Sequence, residues 1–262
     1  MSGMALSAVI ITKNEEGNIE ACLQSVGWVQ QIIVIDAESA DRTQELACRY
    51  TSHVMVRPWP GYGPQKNFGI QQATGEWILI LDADERVSPE LAQEIQERLR
   101  TWTSHNPVAY GIPRRNIFYG EWVRWGGAYP DLQVRLFQKG KATYNDVEIH
   151  ENLIVDGLIG NLEGFLEHYT ERYIVDHFRK FSLYSTLAAK ERGKTITMVH
   201  WWHLLLNPLV TFGKKYFLKQ GFRDGIRGVI YAGFASMYTF GKYGKLEELK
   251  CKASRLSISK NL

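Results

Sequence analysis

Short apolar runs, spaced by helix-like stretches and closed by polar or acidic residues, constrain this chain's fold more than any other feature. Leu6-Ser-Ala-Val-Ile-Ile-Thr12, Ile32-Ile-Val-Ile-Asp36, Val54-Met-Val-Arg57 and Trp77-Ile-Leu-Ile-Leu81 read as strands. Helices are predicted between them: one from Asn14 through Cys22 and Leu23, one opening at Thr43, one from Gln65 to Ala73. After the last run, Ser88-Pro89 supplies an N-cap serine and a proline at the first helical position. A strand facing water on one side alternates apolar and polar residues, and these runs do not. They therefore predict a mostly parallel central sheet with helices on both faces, an α/β fold.

Two of the runs end in acids. Asp36 closes one, and Trp77–Leu81 delivers Asp82-Ala83-Asp84. The carboxyl ends of strands are where an open α/β sheet binds ligands. Two clustered carboxylates are hard oxygen ligands suited to Mg²⁺ or Mn²⁺, although an isolated acidic turn of this kind can also be merely solvated. The loop after the first strand, Thr12-Lys13-Asn14-Glu15, stands where a nucleotide base can be held. Lys66 follows the turn-rich Pro58-Trp-Pro-Gly-Tyr-Gly-Pro64 and could face a diphosphate. A lysine starting a surface helix can equally be solvated. There is no Gly-x-Gly-x-x-Gly after the first strand and no P-loop, so neither a dinucleotide site of that kind nor a P-loop NTPase is expected.

The chain has 262 residues, 45% hydrophobic and 23% charged, a globular composition. Cys22, Cys48 and Cys251 form no Cys-x-x-Cys, which argues against a zinc cluster or disulfide scaffold and suits a reducing cytosol. The N-terminus shows no basic region followed by a long apolar core, so no secretory signal is expected. The net charge of +3 is unevenly placed. From Gly213 onward 11 Lys and Arg face 3 acids, a net +8, and the remainder carries −5. That basic end is rich in aromatics, a composition that can serve nucleic acid, anionic lipid or neither.

From about Val108 to Ile159 the pattern is strand-like and irregular, and beyond Glu171 it becomes helical. Thr195–Gly213 contains no Lys, Arg, Asp or Glu and approaches the length of a bilayer span. Asn207-Pro208 is expected to break it, and with His200 and His203 this favours an interfacial or buried helix pair over a true span. The cation–aromatic alternation from Lys214 to Arg227 suits a helix lying among anionic headgroups, or an ordinary amphipathic helix packed on the domain.

Val9-Ile-Ile-Thr-Lys-Asn-Glu15, Ile33-Val-Ile-Asp36 with Ser39-Ala-Asp41-Arg-Thr43, and Ala73-Thr-Gly-Glu-Trp-Ile-Leu-Ile-Leu-Asp-Ala-Asp84 together closely resemble the family 2 glycosyltransferases, which have the GT-A fold. Tyr129-Pro-Asp-Leu-Gln-Val-Arg-Leu-Phe137, Val147-Glu-Ile-His-Glu151 and Tyr216–Gly225 are similar to the subgroup that includes lipopolysaccharide core β-glucosyltransferases. One departure is Thr12-Lys13, where many relatives carry Pro-Thr-Tyr or similar.

The resemblance implies a GT-A catalytic domain over 1–170, with a nucleotide-sugar half (1–105) and an acceptor half (106–170). A helical, basic-aromatic region (171–262) follows, as a possible membrane-associating part. It implies inverting transfer of a hexose, expected to be glucose, from a UDP-sugar to a lipid-linked or envelope glycan acceptor at the cytoplasmic face of the inner membrane, with no nucleic-acid partner. Thr12, Asn14, Glu15, Asp36, Lys66, Asp82, Ala83 and Asp84 would bind the donor, and Asp84, Asp82 and His168 a Mg²⁺ or Mn²⁺ ion. Glu151 would be the general base, Asp131 the reserve or an acceptor contact, and His150 a residue that orients Glu151, stacks on the sugar or is merely structural. Trp122, Trp125 and Tyr129 would form an acceptor platform or simply pack. Transfer to polyprenyl phosphate or protein, nucleotidyl transfer and a non-catalytic binding module stand as alternatives.

Overall fold

A computed structural model describes residues 4–145, 152–171 and 174–259. The chain forms two compact units, one of Met1–Arg115 with Pro130–Tyr169 and one of Asn116–Tyr129 with Thr170–Leu262.

The first unit begins with β1 (Leu6–Thr12), α1 (Ile19–Ser25), β2 (Gln31–Asp36), α2 (Thr43–Ala47), β3 (Val54–Val56), α3 (Tyr62–Gln72) and β4 (Trp77–Asp82). These are the elements that the apolar runs predict, with β3-β2-β1-β4 adjacent and parallel. There follow β5 (Glu85–Val87), α4 (Pro89–Arg100) and β6 (Ala109–Phe118). The Ser88 hydroxyl caps α4 by accepting from the Leu91 amide at 3.2 Å, as Ser88-Pro89 predicts. Helix α3 starts three residues earlier than the sequence suggests, within the turn-rich loop.

β1 shows why the strands are largely apolar on both faces. Leu6, Ala8 and Ile10 enter one core with Ile19, Cys22 and Leu23 of α1 and Leu91, Ile95 and Leu99 of α4. Val9 and Ile11 enter a second core with Ile70 of α3. The same parity divides β4, with Trp77, Leu79 and Leu81 on one side and Ile78 and Ile80 on the other. Gly69 lets α3 approach the sheet, since a Cβ there would lie 2.3 Å from Val9 Cγ1.

Beyond β4 the sheet turns antiparallel. The irregular region supplies β8 (Asp131–Gln138), β9 (Ala142–Tyr144), β10 (Leu153–Val155), β11 (Ile159–Asn161) and β12 (Leu166–Glu171), with β7 (Glu121–Trp122) preceding them. The order runs β3-β2-β1-β4-β8-β6-β12-β5, with β8 antiparallel to β4 and β6, and β12 antiparallel to β5. β9 and β10 form a separate hairpin.

In the second unit, Ile117 and Phe118 pair with Trp122 and Glu121. Its helices are α5 (Ile174–Gly193), α6 (Trp201–Gly213) and α7 (Gly225–Ser259), with one π-helical turn at Lys214–Leu218 and a 3₁₀ turn at Gly221–Asp224 between α6 and α7. Contrary to the expected break at Asn207-Pro208, α6 runs straight through Pro208. Proline removes one helical hydrogen bond, but packing on α7 holds the segment. The Pro208 carbonyl accepts from Ser236 Oγ at 2.9 Å, and Thr211 Oγ1 lies 3.3 Å from Thr239 Oγ1. Among the described residues no helix is long and apolar enough to cross a membrane.

Candidate active site

Strand register assembles the site. Thr12 pairs with Asp36 and Ile11 with Asp82, so the polar ends of β1, β2 and β4 lie side by side at the carboxyl edge of the parallel strands. Asp84 follows in the turn between β4 and β5. His168 of β12 pairs with Glu85 of β5, which brings its Nε2 to 3.5 Å from Asp84 Oδ2. Burial disfavours charge on His168, but the Asp84 and Glu85 carboxylates outweigh it and hold the imidazole above its ordinary pKa.

Asp82 and Asp84 take different partners. The Asp82 carboxylate lies 3.4 Å from Lys66 Nζ and 2.5 Å from Arg135 Nη2. Burial alone would raise its pKa, and these two cations bring it far below the usual carboxylate range. Lys66 is not solvated. It is 2% exposed, and its ammonium faces the rings of Tyr62 and Tyr144 at 5.8 and 5.2 Å.

Three residues that sequence reasoning missed complete the network. Glu85, fully buried, accepts from Arg135 Nη2 at 2.6 Å, Arg114 Nη1 at 3.0 Å and the Asp82 amide at 3.0 Å. Arg114 also donates to Asp131 Oδ2, at 3.0 Å from Nε and 2.6 Å from Nη2. An alternating chain results: Lys66, Asp82, Arg135, Glu85, Arg114, Asp131. The sequence signals were Glu85 directly after the acidic pair and Arg135, a cation inside the apolar stretch of β8. Asp131 also accepts from Gln133 Nε2 at 2.8 Å. Glu151 and His150 lie outside the described residues.

The donor-side loops are tied to each other. Asn14 adopts a left-handed φ of 54°, which asparagine tolerates better than most residues. Its amide donates to Ser39 Oγ and its Oδ1 accepts from the Ala40 amide, both at 2.8 Å. The Glu15 amide donates to Thr43 Oγ1 at 2.8 Å, and the Glu16 amide to Asp41 Oδ2 at 3.1 Å. Asp36 is fully buried. It accepts from the Ser39 amide and hydroxyl and from Gln44 Nε2 at 2.5–2.8 Å, so it organises its own turn instead of presenting an open carboxylate. Ala83 is buried and its amide donates to the Ile11 carbonyl at 3.2 Å. Thr12 Oγ1 and Asp82 Oδ1 are buried without a hydrogen-bond partner, although Asp82 Oδ1 has the Lys66 ion pair. Of the aromatics, Trp122 and Tyr129 pack edge to face at 5.4 Å and Arg223 lies 3.9 Å over Trp125, all within the second unit.

Among the described residues no three His, Cys, Asp or Glu side chains form a metal-holding group. The pair Asp84–His168 nevertheless suits a divalent cation, with a carboxylate oxygen and an imidazole nitrogen already facing each other. Magnesium-like ions usually take one or two protein ligands and complete their shell with substrate phosphates and water. Asp82 is already paired with two cations, Lys66 and Arg135.

The carboxyl edge of the α/β sheet thus carries acids, a buried lysine and two laced loops. The family model described as Glycosyl transferase family 2 matches residues 7–143, more than half of the chain, and the chain belongs to that family. Full-length relatives agree. A lipopolysaccharide core biosynthesis glycosyltransferase, LpsC of Rhizobium meliloti, is 28% identical over 97% of this chain and 96% of its own length. An uncharacterized glycosyltransferase of Rickettsia typhi is 29% identical over 98% and 91%. Among solved structures, S. aureus TarS 1–349 in complex with UDP is similar over 95% of this chain and 92% of that one, at 13% identity and a TM-score of 0.48. Glucosyl-3-phosphoglycerate synthase from Mycobacterium tuberculosis, with Mg²⁺ and UDP, matches 43% of this chain and 44% of its own, at 23% identity and a TM-score of 0.38.

Proposed function

We propose that this glycosyltransferase moves a hexose, glucose first among candidates, from a UDP-sugar to a lipid-linked or envelope glycan such as lipopolysaccharide core, with inversion at the anomeric carbon. The observation that carries this reading is the convergence of Lys66, Asp82, Asp84 and His168 at the carboxyl ends of the parallel strands. The full-length likeness to LpsC supports the acceptor class.

In this reading Asp84 and His168 would hold a Mg²⁺ or Mn²⁺ ion, which would supply positive charge beside the diphosphate. Lys66, fixed between two tyrosines, adds a second positive charge beside it. The laced loops carrying Thr12, Asn14, Glu15 and Asp36 form the nucleoside floor, with Asp36 acting through Ser39. Inversion requires a base for the acceptor hydroxyl, and Glu151 takes that role because Asp131 is occupied by Arg114. The enzyme works at the cytoplasmic face of the inner membrane, where its acceptor is anchored.

The test is thermal stabilisation by UDP and UDP-sugars with and without Mn²⁺. A shift that requires Mn²⁺ and is absent in Asp84→Ala supports the donor site. A folded chain that responds to no uridine nucleotide overturns it.

A further inference from the structure

Helix α6 turns a broad apolar face to water. A soluble amphipathic helix turns its apolar stripe to the core and its polar side to solvent. Here the packed side carries Leu204, against Ala189, Tyr243 and Leu246, together with His203, stacked on Tyr243 at 4.9 Å, and Pro208 and Thr211, which meet Ser236 and Thr239, while a second apolar face is left outside. The outer side carries Trp201, Trp202, Leu205, Leu206, Leu209 and Val210, between 40% and 68% exposed. The patch continues past the helix end through Phe217 and Leu218, the latter 78% exposed. A contiguous apolar surface of this kind marks an interaction site.

We infer that the outer face of α6 and the turn after it seat this protein on a bilayer containing anionic phospholipid, with α6 lying in the membrane plane. This deepens the membrane part of the proposed function and rests on that part alone. Thirteen residues of helix extend about 20 Å, short of the ~30 Å hydrocarbon core. The helix can therefore lie along the interface but not cross it. Its paired tryptophans stand at its first turn, and this residue type favours the headgroup boundary. Lys214 and Lys219, both exposed, flank Phe217 and Leu218. Between Thr195 and Leu246 Lys and Arg outnumber acids seven to one, so the surface complements anionic headgroups. The same excess opposes a second copy as occupant, because a two-fold dimer would bring the patch and its cations against themselves.

The test is co-sedimentation of the full chain with sucrose-loaded phosphatidylcholine vesicles, with and without phosphatidylglycerol, at low salt. Tryptophan emission is recorded in parallel. Binding to the phosphatidylglycerol vesicles with a blue shift is expected. Leu205→Gln with Leu209→Gln should weaken partitioning about tenfold per leucine. Lys214→Gln with Lys219→Gln should weaken it about fivefold per lysine, on phosphatidylglycerol vesicles only. Absence of binding, or equal binding by the folded leucine variant, overturns the inference. So does a vesicle-free dimer that the leucine changes dissolve. Vesicle binding without any UDP response would sink the donor reading and leave this one standing. A UDP response without vesicle binding would do the reverse.

Discussion

Arg135→Met isolates what the buried ion chain contributes. The Arg135 guanidinium bridges Asp82 at 2.5 Å and Glu85 at 2.6 Å, and the side chain is nearly inaccessible to water. Methionine keeps the apolar stem and removes the charge. Breaking a buried ion pair from one side costs about 3–5 kcal/mol, because the remaining charge stays desolvated. Here each stranded carboxylate keeps another cation, Lys66 for Asp82 and Arg114 for Glu85. The loss should fall at the low end, about 3 kcal/mol, or about 6–12 °C in Tm for a domain of this size. Glu85→Gln removes one of the stranded charges. The double variant should therefore lose less than the sum of the singles, by about 1 kcal/mol. Urea and thermal unfolding of the four proteins, followed by circular dichroism, give the comparison. A loss under about 1 kcal/mol for Arg135→Met, or strict additivity, would refute the idea that these charges hold the turn carrying Asp82 and Asp84.

Three smaller predictions accompany it. Ser88→Ala removes the α4 cap and should cost about 1 kcal/mol, read as a lower urea midpoint with unchanged slope. Gly69→Ala drives a Cβ into Val9 and should cost about 1–3 kcal/mol in thermal unfolding; a neutral result would mean α3 can ride away from the sheet. Burial pushes the Asp41 carboxyl up, but hydrogen bonds from Thr43 and the Glu16 amide outweigh it and leave the pKa lowered. A depressed folded pKa stabilises above the unfolded value and loses that contribution as pH falls through the folded one. Asp41→Asn should therefore lower Tm at pH 7, with the gap to wild type closing below about pH 4; a gap of constant size would contradict this.

The parallel half of the sheet was legible because burial on both faces leaves an unmistakable trace, unbroken apolar residues over Ala8–Ile11, Ile32–Ile35 and Trp77–Leu81. Ser88-Pro89 was legible because capping is local. What escaped depends on distant partners. Lys66 follows a loop that suggests exposure, and Tyr144, distant in sequence on β9, helps to enclose it. The buried role of Glu85 arises when β8 and β6 bring Arg135 and Arg114 over it. Asp36 was placed correctly at its strand end, but Ser39 and Gln44 close over it. Pro208 suggested a helix break on local grounds, and packing on α7 overrides it.

The lacing of the loops after β1 and β2 sets a rule for anyone remodelling this protein. Asn14 and Glu16 reach across to Ser39, Ala40, Asp41 and Arg42, and the contacts run in both directions. Neither segment has a complete set of partners by itself. A chimera that borrows one loop from a relative would leave amides of the other facing the wrong atoms, whereas exchanging both as a matched cassette preserves the seam. The two stretches, separate in sequence, act as a single part for engineering.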